Sequence, residues 1–159
     1  MPSTHQILAI LLLATACSSE SSEPRCAEYA AGNIGAEPVA FEQHVLPIFQ
    51  RSCGLNALCH GLPTNLPFLG SNPPLESDAS AVWAAIVDRP AGAIPSRSFV
   101  EPGSPENSFL MRKMDGDQCI WDDECRGGSC GAPMPEGSAL LAPAERDVVR
   151  TWISRGAPE

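Results

Sequence analysis

Apolar residues recur at the spacing of amphipathic helices in four short segments of the chain. These segments are 41–50, 79–88, 105–114 and 143–155, and each gathers its apolar side chains on one face. No run of six residues alternates apolar and polar positions, which is the pattern of a half-buried strand. The pattern therefore predicts a mostly α-helical domain built from short helices.

Prolines and glycines mark the ends of these predicted helices. Pro47 interrupts the first one, so that helix either kinks there or restarts with Pro47 in its first turn. Pro90 stops the second, and Gly116 and Gly156 lie just beyond the third and the fourth. Long Pro- and Gly-rich loops must join such helices, and a small core cannot order them alone. A large apolar cofactor or several disulfides would supply that order.

The start of the chain has the pattern of an export signal. Residues 7–14 form an apolar run too short to span a bilayer, followed by small residues and Cys17. This segment resembles a bacterial lipoprotein signal, which implies that residues 1–16 are removed and that Cys17 is lipidated. The alternative is a plain secretory signal. In either case we expect an exported protein, on the periplasmic side of the outer membrane or on the cell surface.

The segment 17–37 is predicted to be a lipid anchor and flexible linker, because it is rich in Ser, Glu, Ala and Gly. The domain would then span residues 38–159. The formal net charge is −9, and none of it lies in residues 1–16. This acidity argues against binding to nucleic acid or to anionic lipid headgroups, and favours a partner with a basic face or solubility alone.

An acidic, cysteine-rich segment, DGDQCIWDDECRGGSC, occupies residues 115–130 and carries three cysteines and five acids. We interpret it as a surface insertion held by disulfides, with Cys26 as the fourth partner of its three cysteines. A calcium site is the alternative, because hard cations bind clustered carboxylates. A zinc site would need reduced thiolates, which are rare outside the cytoplasm. The candidate disulfide cysteines are Cys26, Cys119, Cys125 and Cys130.

The segment 53–61, CGLNALCHG, contains a cysteine followed directly by histidine, as in the C-x-x-C-H site of covalent haem attachment. Here five residues separate Cys53 from Cys59, so three residues would have to loop out. Attachment through Cys59 alone, or a Cys53–Cys59 disulfide with His60 on the surface, are the alternatives. Met134 lies between two prolines in a rigid loop and is a candidate second iron ligand beside His60.

Five blocks of the chain occur in the order of a known family. They are VLPIF at 45–49, CHG at 59–61, VEPGSPENSFL at 100–110, Met134-Pro135, and WISRGA at 152–157. Together they resemble a c-type cytochrome domain, most similar to the planctomycete-type cytochromes of exported bacterial proteins, over residues 38–158. The resemblance implies a helical cytochrome c fold with haem c attached at Cys53 and Cys59. It also implies His60 and Met134 as the axial ligands of the iron.

We therefore expect an exported, lipid-anchored monohaem cytochrome domain that transfers electrons to or from a redox partner protein. No phosphate-binding loop, H-E-x-x-H or G-x-S-x-G motif indicates an enzyme. The rival hypothesis is a haem-free lipoprotein, stabilised by three disulfides, that acts as a binding module or a structural module of the envelope.

Overall fold

A computed structural model describes residue 26 and residues 32–55, 58–76 and 78–159. The predicted signal peptide, Cys17 and most of the predicted linker lie outside these residues. Within them, none of the helices is both long enough and apolar enough to cross a membrane.

Four α-helices make up most of the regular structure in the described residues, which confirms the prediction of a mostly helical chain. They are α1 (Leu46–Ser52), α2 (Asp78–Ile86), α3 (Phe109–Asp115) and α4 (Pro143–Ser154). Each falls inside or at the edge of a segment predicted from periodicity. The helices are shorter than predicted, because in α1 and α3 a short turn of another helix type occupies the first residues of the predicted helix.

The first and third predicted helices are each divided in two. A π-helical turn at Phe41–Val45 leads into α1, which restarts with a proline in its first turn, as one of the two expected outcomes. A 3-10 turn at Pro105–Asn107 precedes α3 and is separated from it by Ser108 in an extended conformation. The Ser108 hydroxyl donates to the carbonyl of Ser104 at 2.9 Å, which holds the backbone there.

A short antiparallel hairpin was not expected from the sequence. Strand β1 (Pro90–Ala91) pairs with β2 (Ile94–Ser98), with a bulge between the paired residues. The strands are too short to show an alternating pattern. A 3-10 helix at Gln118–Glu124 inside the insertion also went unpredicted, because its acids and cysteines carry no apolar periodicity.

Two apolar clusters hold the described residues together. The larger one joins the four α-helices and includes Phe41 and Trp152, whose ring centroids lie 5.0 Å apart. The smaller one fastens the insertion to the hairpin through Ile94, Phe109 and Trp121. Burial of this second cluster lets the insertion pack as part of the domain rather than project from it.

The domain begins earlier than the predicted boundary at residue 38. The backbone N–H of Gly35 donates to the Thr151 hydroxyl at 2.8 Å, and that of Asn33 donates to Asp147 at 3.1 Å. Arg155 donates to the carbonyl of Ala36 at 3.0 Å. Residues 33–36 are therefore fixed against α4, in contrast to the flexible linker expected up to residue 37.

The insertion is held by disulfides, as predicted. Cys26 bonds to Cys119 across 93 residues of sequence, and Cys125 bonds to Cys130 within the insertion. All four candidate cysteines are thus paired. The first bond also ties the N-terminal part of the chain to the insertion.

The acids of the insertion face arginines. Asp115 accepts two hydrogen bonds from Arg150, at 2.9 and 3.0 Å, and one from Arg146 at 2.6 Å. Asp117 pairs with Arg112 at 2.5 Å. Among the residues that the structure describes, no group of three or more His, Cys, Asp or Glu side chains is placed to hold a metal ion. Asp115 and Asp117 thus serve as partners of cations on α3 and α4.

Candidate functional site

An apolar cavity of about 290 Å³ opens between α3, the hairpin and the loops around residues 60–69 and 130–134. A second cavity of about 120 Å³ adjoins Cys59, and Cys53, His60 and Met134 line both. The larger cavity alone is near the lower end of the size range of small-molecule sites, about 300–1,000 Å³. Its apolar walls come from Leu66, Pro67, Leu69, Phe99, Phe109, Leu110 and Met114.

The loop between the two cysteines closes on itself. The backbone N–H of His60 donates to the carbonyl of Cys53 at 3.0 Å, and the carbonyl of His60 accepts from Leu69 at 3.0 Å. Asn65 donates its side-chain amide to the carbonyl of Cys59 at 2.7 Å. Cys53 and His60 are therefore neighbours at the cavity wall despite their separation in sequence.

Cys53 sits at the end of α1, where its N–H donates to the carbonyl of Phe49 at 2.7 Å. Only 8% of the residue is exposed. Burial, together with the nearby Cys59, raises the pKa of the Cys53 thiol to about 12. Cys53 is therefore a neutral thiol at pH 7, and it is free, as is the half-buried Cys59. The alternative of a Cys53–Cys59 disulfide is not what the structure shows.

His60 is half-buried, and its Nδ1 atom is buried without a hydrogen-bond partner among the described residues. Burial lowers the pKa of the imidazole. The carbonyl of Pro67 opposes this shift by accepting a hydrogen bond, and the charge of Lys113 adds to it. The ring is therefore neutral at pH 7, which is the form that binds metal ions. A buried nitrogen at a cavity wall with no partner among the described residues points to a missing ligand.

Met134 reaches the cavity from a loop that is held by its neighbours. Its backbone N–H donates to the carbonyl of Lys113 on α3 at 2.8 Å. The Lys113 amine donates to the carbonyls of Cys130, at 2.8 Å, and Ala132. Gln118 donates its side-chain amide to a further carbonyl of this loop, that of residue 131, at 2.8 Å. The methionine predicted from its proline-rich loop thus lies where a cavity ligand would be needed.

Three of the four residues predicted for the site, Cys53, His60 and Met134, line the larger cavity. The fourth, Cys59, lines the smaller one. Reasoning from sequence missed Lys113, which lines the larger cavity together with His60 and Met134. A signal for it existed, since Lys113 is the only lysine of the chain.

Four exposed leucines, which the sequence did not single out, lie between residues 55 and 66, beside the cavities. Leu58 is 96% exposed and Leu66 is 77% exposed, and each lines one of the cavities. Leu55 and Leu62 are also largely exposed. Apolar surface of this kind beside a cavity is typical of a contact site for a ligand or a partner protein.

Trp121 packs away from the cavity. Its ring lies on that of Phe109, with centroids 6.5 Å apart, and the guanidinium of Arg97 covers it at 3.9 Å. Trp121 therefore packs the insertion against α3 and the hairpin.

The donors at the cavity are two thiols, a neutral imidazole and a thioether, surrounded by apolar walls. Imidazole and thioether are the axial ligands that iron takes in cytochromes c, and thiols are the groups to which haem c is attached. The chemistry of these side chains fits that cofactor, and Cys53, His60 and Met134 line one cavity. A comparison of the chain with known protein families, with curated proteins and with solved structures finds no match.

Proposed function

We propose that this protein is an exported, lipid-anchored, monohaem c-type cytochrome domain that transfers electrons. The observation that carries the proposal is the meeting of Cys53, His60 and Met134 at one apolar cavity. Cys53 lies at the end of α1, His60 lies in the loop after it, and Met134 lies in the loop 130–134. Their convergence is therefore a property of the fold rather than of one motif.

Four residues of the chain would hold haem c. The thiols of Cys53 and Cys59 would bind its edge covalently, and His60 and Met134 would bind its iron. Haem iron supplies the one-electron redox chemistry, and the protein sets its potential through ligands and burial. The apolar walls exclude water, and a methionine ligand favours a raised potential. Two protein ligands leave no open iron position, which favours electron transfer over oxygen chemistry.

The exposed leucines beside the cavity are the surface that we propose for a redox partner protein. Contact would be small and transient, as is common between electron-transfer proteins. The net charge of −9 favours a partner with a basic face.

Export remains a proposal carried by residues 1–17. The two disulfides support it, because such bonds persist in oxidising compartments such as the periplasm. We propose that the lipid on Cys17 holds the domain at the membrane surface.

The rival function, a haem-free lipoprotein with three disulfides, needs a bond between Cys53 and Cys59. The structure keeps both thiols free at the wall of a cavity. This observation favours the haem proposal over the rival.

A pyridine haemochrome spectrum of the full chain, expressed with the haem-attachment machinery, tests the proposal. We expect one covalent haem per chain. Cys53→Ala should shift the band to that of a single thioether, and Cys53→Ala with Cys59→Ala should abolish covalent haem. The matched control, Cys26→Ala with Cys119→Ala, removes two cysteines away from the cavity and should retain it. Absence of a covalent haem band, with thiol counts showing Cys53 and Cys59 paired, would exclude the proposed function.

A further inference from the structure

Lys113 is the only lysine of the chain, and its amine is half-buried in the wall of the larger cavity. We propose that Lys113 is a positioning residue that fixes Met134 at the cavity. The role of Met134 as an iron ligand rests on the proposed function, whereas the positioning of its loop does not.

Three hydrogen bonds join Lys113 to the loop 130–134. Its amine donates to the carbonyls of Cys130, at 2.8 Å, and Ala132, and its own carbonyl accepts from the N–H of Met134 at 2.8 Å. One residue therefore clamps this loop from both its side chain and its backbone. Since Lys113 lies in the middle of α3, the loop cannot shift relative to that helix without breaking all three bonds.

The choice of partners explains why a lysine is suited to this position. Backbone carbonyls in a partly buried loop lose water and need donors, and bonds from a charged amine are stronger than neutral ones. The amine also lies 5.8 Å from the ring centroid of Phe109, within the range of a cation–π contact. Burial lowers the pKa of Lys113, although the nearby carboxylates of Glu136 and Asp122 oppose that shift.

Methionine sulfur is a weak, neutral ligand, so its binding to iron depends on being held in place. A loop with freedom to move would exchange the sulfur for water. The three bonds to Lys113 reduce that freedom before any cofactor is present. The positive charge of Lys113 would also disfavour ferric iron. The test must therefore distinguish this electrostatic effect from the positioning of Met134.

The test uses the full chain with attached haem and the variant Lys113→Met. We expect covalent haem at the level of the unmodified protein, loss of the weak far-red band that marks a methionine sulfur on ferric iron, and a lower reduction potential. The control Glu136→Gln removes a charge near Lys113 without touching the three carbonyl contacts, and should keep the band. Retention of the band in Lys113→Met would overturn the inference even if the potential fell, because loss of the positive charge alone lowers the potential. Loss of the band in Glu136→Gln would overturn it as well.

Should Lys113→Met fail to fold, acetylation of the folded holoprotein removes the charge and two donors at the single lysine. The expected result is again loss of the far-red band, and its persistence after complete acetylation contradicts the inference.

Failure of the proposed function has a separate signature, the absence of covalent haem from the unmodified protein. The loop is then tested in the haem-free chain by amide hydrogen exchange. We expect exchange in residues 130–134 to be about ten-fold faster in Lys113→Met, as for loss of one charge-assisted hydrogen bond. Equal exchange in the two proteins would show that Lys113 does not position Met134.

Discussion

The backbone N–H of His60 donates to the carbonyl oxygen of Cys53 at 3.0 Å. This single bond makes neighbours of two residues that are seven positions apart with a second cysteine between them. A C-x-x-C-H motif obtains that closeness from one turn of helix, and here it comes from a hydrogen bond. The separation of Cys53 and His60 in sequence is therefore a poor guide to their separation in the fold.

Replacing Met134 with leucine should lower the reduction potential without releasing the haem. Leucine has a similar volume but no sulfur, so under the proposed function the iron would lose the ligand that raises its potential. We expect a fall of about 0.1 V or more, within the ~0.8 V range over which axial ligands act. Potentiometric titration measures it. Met111→Leu, in the main core at 1% exposure, is the matched control and should leave the potential unchanged. An unchanged potential in Met134→Leu removes Met134 from the iron.

Gly54→Ala should destabilise the protein, because a Cβ atom there would lie 2.3 Å from the carbonyl oxygen of Gly70. The backbone after Cys53 would have to move, at a cost of about 1–3 kcal/mol for overpacking. Urea denaturation measures the change. The matched control is Gly92→Ala, since nothing lies within 4 Å of the corresponding Cβ, and it should change stability by about 0.5 kcal/mol or less. Equal effects of the two substitutions would contradict this expectation.

Acidification should destabilise the haem-free protein through His60. Burial lowers the pKa of this histidine in the folded state, so just below its usual value of about 6.5 the unfolded chain binds more protons. Stability therefore rises with pH in that window and is lost as the pH falls through it. Denaturation curves between about pH 5 and pH 7 should show a steeper dependence for the unmodified protein than for His60→Gln. The same dependence in both would show that His60 titrates alike in the folded and unfolded states.

The two disulfides should differ in their contribution to stability. Chain entropy assigns about 4.7 kcal/mol to a bond across 93 residues and about 2 kcal/mol to one across 5. The double variant Cys26→Ala with Cys119→Ala should therefore lose more stability than Cys125→Ala with Cys130→Ala. Thermal and urea denaturation of the two variants, each the control of the other, measure the difference. The reverse order would mean that packing of the insertion outweighs chain entropy.

Apolar periodicity was enough to locate the helices, because their buried faces are built from residues three and four positions apart. Val149 and Trp152 on α4 are fully buried for this reason. Periodicity could not locate the hairpin, nor the break at Ser108 that separates the 3-10 turn from α3. The hairpin strands are too short to alternate, and Ser108 breaks the helix through hydrogen bonds to residues that come earlier in the chain.

The candidate site was accessible from sequence only where local chemistry marked it. The adjacency of Cys59 and His60, and the prolines beside Met134, are such marks. Lys113 carries no local mark beyond being unique, because its partners lie 17 and more residues away. Disulfide pairing likewise depends on the folded path of the chain, which spacing alone does not determine.

The bond between Cys26 and Cys119 closes a covalent ring that contains both cavity cysteines and His60. Leu58, 96% exposed, lies on this ring and is its most accessible large apolar residue among those described. A protease that cut the chain beside Leu58 would leave two fragments joined through sulfur, so the protein would migrate as one species until reduced. Such a ring would therefore keep both parts of a severed chain in one covalent molecule.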